Sequence, residues 1–439
     1  MKKLLFALSL ITSSALAQTP IVLKGARMFD GTSDTVVRNA VVMVDGKRIA
    51  AISPASIPPN ARVIDLGDVT LLPGFIDSHV HLTAESGDNW YLDYFQELMR
   101  QPAEQALLAT TFARKTIEAG FTTVRNVGAT DYVDIGLRNA INNGWVVGPR
   151  MLVSCYAIGA TGGHGDGDPI PPARGFQQSG PMQGVCNGVG ECRAAVRYQI
   201  KYGADVIKFM PSGGVLSLSD PVDAPELSQD EMNAIVEEAH HWGRKVAAHC
   251  HGDSAARMAI QAGVDSIEHG SFMKPDTLAM MREKGTYLVP TLLAGEWTGG
   301  KADKFPPVIA AKARAALAAR SDMFRNAVRT GVKIAFGTDS AVSPHGMNGK
   351  EFALMTSLGM SPAAALRSAT SVAAALLGVD DRLGTIATGK LADIIAVPGN
   401  PLDDIHQTER VSFVMKDGQV VCGTGTLACA PQTGVSAPH

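Results

Sequence analysis

Between residues 71 and 378 the chain repeats one rhythm, a short apolar run, a loop and an amphipathic stretch. This rhythm constrains the fold more than any other feature. Apolar runs at 71–75, 122–127, 151–155, 206–210, 246–249, 266–267, 287–293 and 332–336 read as strands. Segments with helical periodicity lie between them, among them 104–119, 191–202, 230–242 and 310–329. Strands alternating with helices run parallel, because each helix carries the chain back across the sheet. Eight such units in about 300 residues predict an α/β fold, a (β/α)8 TIM barrel. A doubly wound open sheet is the alternative. No Gly-x-Gly-x-x-Gly follows the first run, which removes the usual dinucleotide site.

Residues 18–70 and 379–425 read differently, as short alternating apolar runs separated by turns, with Asp45-Gly46 as a hairpin turn. Neither flank has enough strands for a stable sheet, so the two are expected to combine in one small β-sandwich beside the barrel of residues 71–378. Residues 426–439 are expected to form a disordered tail. Net charge is −3 with the signs mixed, and no basic stripe appears, which counts against a nucleic-acid partner. No internal segment has the length and apolarity of a membrane span. Residues 1–17 have the basic start, short apolar core and Ala-x-Ala end of a signal peptide. The mature chain is expected to begin near Gln18 and to be periplasmic or secreted. In an oxidising compartment Cys186 with Cys192, and Cys422 with Cys429, can close small disulfide loops, free thiols being the alternative. Cys155 and Cys250 sit in apolar runs and are expected to be buried small side chains.

The polar residues that matter fall at the ends of the apolar runs. His79 and His81 follow the first; one residue apart on an extended strand, they point to the same face. Lys208 ends the fourth, His249 and His251 the fifth and His269 the sixth, and Asp339 follows the eighth. In a parallel barrel all strand C-termini open on one rim, so these side chains should converge there. Imidazoles grouped with a carboxylate suit a transition metal such as zinc. A lysine at a buried strand end needs an explanation, since an unpaired ammonium there is costly. His164, in the glycine-rich loop Ala160-Thr-Gly-Gly-His-Gly-Asp166, is a candidate substrate contact. His251 is another, with a purely supporting histidine as the alternative. His345 is a weaker candidate, and His240 and His241 lie within a helix. The loops at 159–184 and 212–227 are expected to form much of the pocket wall.

The opening Leu71-Leu-Pro-Gly-Phe-Ile-Asp-Ser-His-Val-His81 and the tail Gly384-Thr-Ile-Ala-Thr-Gly-Lys-Leu-Ala-Asp-Ile394 resemble the metal-dependent amidohydrolase superfamily. The likeness covers nearly all of the mature chain. Ala204-Asp-Val-Ile-Lys-Phe209, Val246-Ala-Ala-His-Cys-His-Gly252, Gly263-Val-Asp-Ser-Ile-Glu-His-Gly270 and Gly337-Thr-Asp-Ser340 narrow it to one branch. That branch holds imidazolonepropionase-like proteins, Xaa-Pro and other dipeptidases, and ochratoxin-degrading amidohydrolases. The resemblance implies a two-metal site, zinc being the first choice. His79, His81 and Asp339 would hold one ion and His249 and His269 the other, bridged by Lys208 as an N6-carboxylated lysine. A salt-bridged Lys208 in a one-metal site is the alternative. It also implies hydroxide attack on an amide carbonyl, with Asp339 carrying the proton to the leaving amine. Substrates would be dipeptides or N-acyl amino acids, ochratoxin-like amides included. Cyclic amidase, lactonase or deaminase activity on the same site is a second reading, and a non-catalytic binding protein a third. Many relatives carry Gln and an aromatic before the Ser or Thr that opens the next helix. This chain has Glu226-Leu227-Ser228, so no side-chain preference transfers, and the group that holds a substrate carboxylate is not named by sequence. Oligomeric state, a homo-oligomer included, is left open.

Overall fold

Alternating apolar residues near the N-terminus fold as β1 (Ile21–Met28), β2 (Val37–Asp45), β3 (Arg48–Ile52), β4 (Arg62–Asp65) and β5 (Val69–Pro73). The structure is a computed structural model that describes residues 19–87, 89–166, 178–424 and 428–429. The expected signal peptide and the mature start at Gln18 lie outside the described residues. Strands β2 and β3 form the hairpin expected at Asp45-Gly46, Asp45 facing Arg48 and Gly46 taking φ +56°. Ala40, Val42 and Val44, at every second position of β2, are buried on one face.

After β5 the chain leaves this sheet. Pro73 ends β5, and β6 (Phe75–Val80) begins two residues later. A Cβ on Gly74 would lie 2.1 Å from Thr122 Oγ1, so only glycine fits at the crossing. The expected strand at 71–75 is therefore two strands, and the boundary falls at Gly74. Strand β6 pairs in parallel with β7 (Phe121–Asn126), and β7 with β8 (Arg150–Val153). Four more parallel strands follow: β9 (Val206–Phe209), β10 (Lys245–Cys250), β11 (Ser266–His269) and β12 (Tyr287–Val289). Strand β12 is shorter than the run at 287–293, because Thr291 turns left-handed and opens the helix Leu292–Gly300. The run at 332–336 pairs only through the bridge Leu288↔Ile334, since the Phe336 amide donates to Ser368 O instead of to a strand. Ser78 donates to Phe336 O, and His81 to Ser340 O, which links this run back to β6. Ile158 bridges to Phe209, so hydrogen bonds connect the two parallel sheets on both sides. Helices Pro102–Glu118, Val189–Tyr202, Gln229–His241 and Pro307–Thr330 stand where periodicity expected them.

The C-terminal strands β13 (Ile394–Pro398), β14 (Phe413–Lys416) and β15 (Gln419–Cys422) return to the first sheet. Its order is β15-β14-β13-β5-β1-β2-β3, with β4 paired to β1. Strand β13 runs antiparallel to β5, from Ile394 opposite Pro73 to Pro398 opposite Val69. Leu23, Val42, Leu71, Ile394 and Phe413 share one buried cluster. Cys186–Cys192 and Cys422–Cys429 are disulfides, and Cys155 and Cys250 are free and buried. The second disulfide tethers residue 429, so the tail expected to be free from 426 is held at that point; 430–439 lie outside the described residues. No described helix is long and apolar enough to cross a membrane.

The two ends of the parallel strands differ in chemistry. Phe75 and Phe121, at the starts of β6 and β7, pack with Phe336 and Phe352 at ring-centroid distances of 4.4 to 5.4 Å. Burying each such ring stabilises the fold by about 1.5–3 kcal/mol. The histidines gather at the opposite, C-terminal ends.

Candidate metal centre

His79 sits near the end of β6, where its ring is fixed from behind. Its Nδ1 lies 2.8 Å from Glu268 Oε2, at the end of β11. Burial pushes the Glu268 carboxyl up, but the Arg125 guanidinium 2.7 Å away and His79 outweigh it, and its pKa falls to about 2. An ionised carboxylate only accepts, so His79 Nδ1 carries the proton and Nε2 keeps its lone pair for the cavity. Arg125 also donates to Ser78 O at 2.5 Å and to Ser266 Oγ at 3.0 Å. His81 repeats the arrangement: Nδ1 donates to Gly128 O at 3.2 Å, leaving Nε2 bare. Asp339 Oδ1 lies 3.4 Å from His79 Nε2 and 3.3 Å from His81 Nε2.

His249, His251 and His269 form the second group, their ligand atoms within 4.8 Å of one another. Burial drives His249 and His269 well below the usual imidazole range, and His251 to about 3, so all three rings are neutral. His249 Nε2 donates to Gly213 O at 3.3 Å, leaving Nδ1 bare. His251 Nδ1 pairs with Ser271 Oγ at 2.8 Å, and His269 Nδ1 with Thr291 Oγ1 at 2.7 Å. The groups adjoin, with the His79 and His269 rings 5.0 Å apart. His269 and Asp339 hold left-handed backbones, at φ +69° and +58°. That conformation costs a non-glycine residue about 1–3 kcal/mol and persists where surrounding contacts fix it.

These donor sets fit metal ions. In the first group two imidazole lone pairs and a carboxylate oxygen converge; these acceptors repel unless a proton or a cation lies among them. The second offers neutral nitrogens with their other ring atoms already hydrogen-bonded, as metal-ligating histidines have. Lys208, at the end of β9 and 1% exposed, lines the same space; burial lowers its pKa to about 8. A cavity of about 190 Å³ brings together His79, His81, His164, Lys208, His249, His251, His269 and Asp339, all the residues the sequence singled out as ligands or substrate contacts except the weaker candidate His345.

The structure changes some expectations around that cavity. His251 stands within ligand distance of His249 and His269, besides facing the substrate space. The His164 ring lies tilted 4.5 Å from the His249 ring, its amide donates to Glu226, and Gly214 leaves room for its imidazole. His345 is stacked on Phe112 and hydrogen-bonded to Ala84 O, and it does not line the cavity. Val215 and Leu216 supply wall from the expected loop at 212–227, while residues 167–177 lie outside the described residues. Further wall was not foreseen: Pro290, Ala294, Gly295 and Thr298 before and along the helix Leu292–Gly300, and Ala316 and Arg320 on another helix. Glu268 and Arg125 were also missed. A lone arginine inside the strand run Thr-Thr-Val-Arg-Asn and a glutamate directly before His269 were the available signals. Asp77 was a third: it accepts from the amides of His79 and Thr338, from Thr338 Oγ1 at 2.6 Å and from Asn348 at 2.8 Å, tying β6 to the Asp339 loop.

A family model described as the amidohydrolase family matches residues 70–421. Ochratoxinase of Aspergillus niger is 32% identical over 416 residues, covering 89% of this chain and 84% of that protein. A solved Xaa-Pro dipeptidase with methionine bound in its active site is 43% identical, with TM-score 0.87 and coverage of 92% and 99% of the two chains. A prolidase complexed with N-methylphosphonate-L-proline is 34% identical, with TM-score 0.83 and the same coverage. These neighbours imply a TIM-barrel α/β fold, in agreement with the parallel strands.

Proposed function

We propose, on the premise that this chain belongs to the amidohydrolase family and hydrolyses carbon–nitrogen amide bonds, that it cleaves dipeptides or N-acyl amino acids at a two-metal centre. Ochratoxin-type amides fall within that class. The observation that carries the reading is the convergence of two adjoining ligand groups in one cavity. His79, His81 and Asp339 would hold one divalent ion and His249 and His269 the other, zinc being the first choice. N6-carboxylated Lys208 would bridge them, a reading supported by its burial beside these residues and by its depressed pKa. When bound, the two ions would bring the pKa of water near neutrality and polarise the amide carbonyl.

The chain's own groups then do the rest. Asp339, with an oxygen aimed at both imidazoles of the first group, takes the proton of the attacking water and delivers it to the leaving amine. His251, tied through Nδ1 to Ser271, orients the carbonyl oxygen, and His164 contacts the substrate. The apolar wall of Val215, Leu216, Pro290 and Val342 excludes water. The terminal sheet is read as the small β-sandwich domain, supported by one buried cluster that draws on both ends of its strand order. Export is part of the proposal, supported by the pattern of residues 1–17 and by two disulfides.

The test is a hydrolysis screen of metal-loaded protein against dipeptides, N-acyl amino acids, cyclic amides and lactones. Release of free amino acids from the first two classes is expected, and turnover confined to lactones or cyclic amides would overturn the assignment. Asp339→Asn should lower kcat by about 10²–10⁴-fold while most metal stays bound. A wild-type rate in a metal-replete variant would remove Asp339 from the proton path.

A further inference from the structure

Among the described residues, the cavity is lined by one other lysine or arginine besides Lys208, namely Arg320. It stands one helical turn after Ala316 on the helix Pro307–Thr330, so both face the cavity. Its side chain is only 8% exposed, yet no buried carboxylate among the described residues forms an ion pair with it. One terminal nitrogen donates to Leu292 O and the other to Glu296, whose side chain is 58% exposed. The Nε–H has no partner among the described residues. Glu351 lies nearby, but its carboxyl is engaged by the amides of Leu292 and Leu293, and burial raises its pKa to about 8. At neutral pH Arg320 is thus a buried cation balanced mainly by a carboxylate in solvent. Such a guanidinium is suited to receive a further anion.

Room for that anion is built in. A Cβ on Gly295 would lie 2.9 Å from Arg320 Cδ and 3.0 Å from its Nη1, so glycine at 295 lets the arginine side chain lie against this helix at the cavity wall. Ala294, Thr298 and Ala316, all small, line the same side of the cavity. We propose that Arg320 binds the free carboxylate of the substrate's C-terminal amino acid, making this a carboxypeptidase-type site that rejects substrates with a blocked C-terminus. The carboxylate takes the place of Glu296 on the guanidinium, a planar pairing with two parallel N–H···O bonds. This deepens the function proposed above and rests on it. It also fills the role that Glu226-Leu227-Ser228 leaves without a candidate.

The test separates the two levels. Binding is measured calorimetrically on metal-loaded protein with L-methionine and L-methioninamide, a pair that differs only in the carboxylate. Wild type should bind the acid about 10–100-fold tighter than the amide, the worth of a charge-assisted hydrogen-bond pair. Arg320→Gln should erase that difference and leave affinity for the amide unchanged. Equal binding of both ligands by wild type, or equal losses for both in Arg320→Gln, would overturn the assignment whether or not any amide is hydrolysed. If Arg320→Gln does not fold, Glu296→Gln decides the matter from the surface. Freeing the guanidinium should raise affinity for L-methionine several-fold and leave the amide alone, and an unchanged affinity for L-methionine refutes the role. In kinetics, acid substrates should suffer in KM more than in kcat when Arg320 is replaced. Failure of the hydrolysis screen with a preserved acid-over-amide preference would sink the catalytic reading and spare the carboxylate site.

Discussion

The side chains that decide the chemistry are held by others that never face the cavity. Glu268 illustrates this: it fixes the His79 tautomer while neutralising Arg125 in a fully buried triad. Glu268→Gln should weaken metal binding by about 10–100-fold and destabilise the fold by about 3–5 kcal/mol, because Arg125 is left without a counter-charge. Metal titration and denaturant unfolding would check both. The folded-state pKa of Glu268 is depressed from 4.5 to about 2, so its stabilisation is complete above pH 4.5 and disappears as pH falls through about 2. His251 poses a sharper question. Its ring lies 4.9 Å from both the His249 and the His269 rings, close enough to serve as a ligand. If it orients substrate, His251→Ala should keep two metal equivalents per chain and lose about 10²-fold in kcat/KM. Loss of one equivalent would make it a ligand instead.

At the scale of elements, function depends on how chain segments begin and end. The helix Leu292–Gly300 starts at the cavity without a side-chain cap of its own, because Thr291 is left-handed. Glu351 supplies the cap from another helix, accepting from the Leu292 and Leu293 amides at 2.8 and 2.6 Å. Burial raises its pKa from 4.5 to about 8. The folded state therefore holds a proton there that the unfolded chain gives up, and stability declines as pH rises from 4.5 to about 8. Glu351→Gln keeps an accepting oxygen for one of the two amides, loses the acceptor of the other, and has no proton to lose. Its Tm should fall less over that interval, whereas a Tm–pH profile parallel to wild type would show that Glu351 ionises freely. The same short helix carries Gly295 and Thr298, so the cap and the proposed carboxylate site share one element.

For the molecule as a whole, the two chain ends complete each other. Strand β5 pairs with β1 on one side and β13 on the other, and Leu71, Ile394 and Phe413 are buried together. A chain ended after Gly378 would expose the edge of β5 and the apolar surface of that cluster. Such a chain should be recovered as aggregate, and a soluble monomer with native Tm would show that the parallel-strand body stands alone. Much of this was legible in the linear chain. Period-two and helical patterns mark strands and helices wherever a single face is buried, and that covers the long helices and the runs ending at Lys208, His249 and His269. A ligand at the end of a parallel strand needs no contact information to be placed, because strand direction alone puts it on the active rim. Other features depend on neighbours remote in sequence. The split at Gly74 follows from Thr122, and the tautomer of His79 from Glu268 and Arg125. The cavity wall at Arg320 exists because two helices meet there. Periodicity records which face a residue takes, so the sequence by itself determined the elements and the ligands at their ends. Which buried charge stands beside them is a property of packing, and only the tertiary structure decided that.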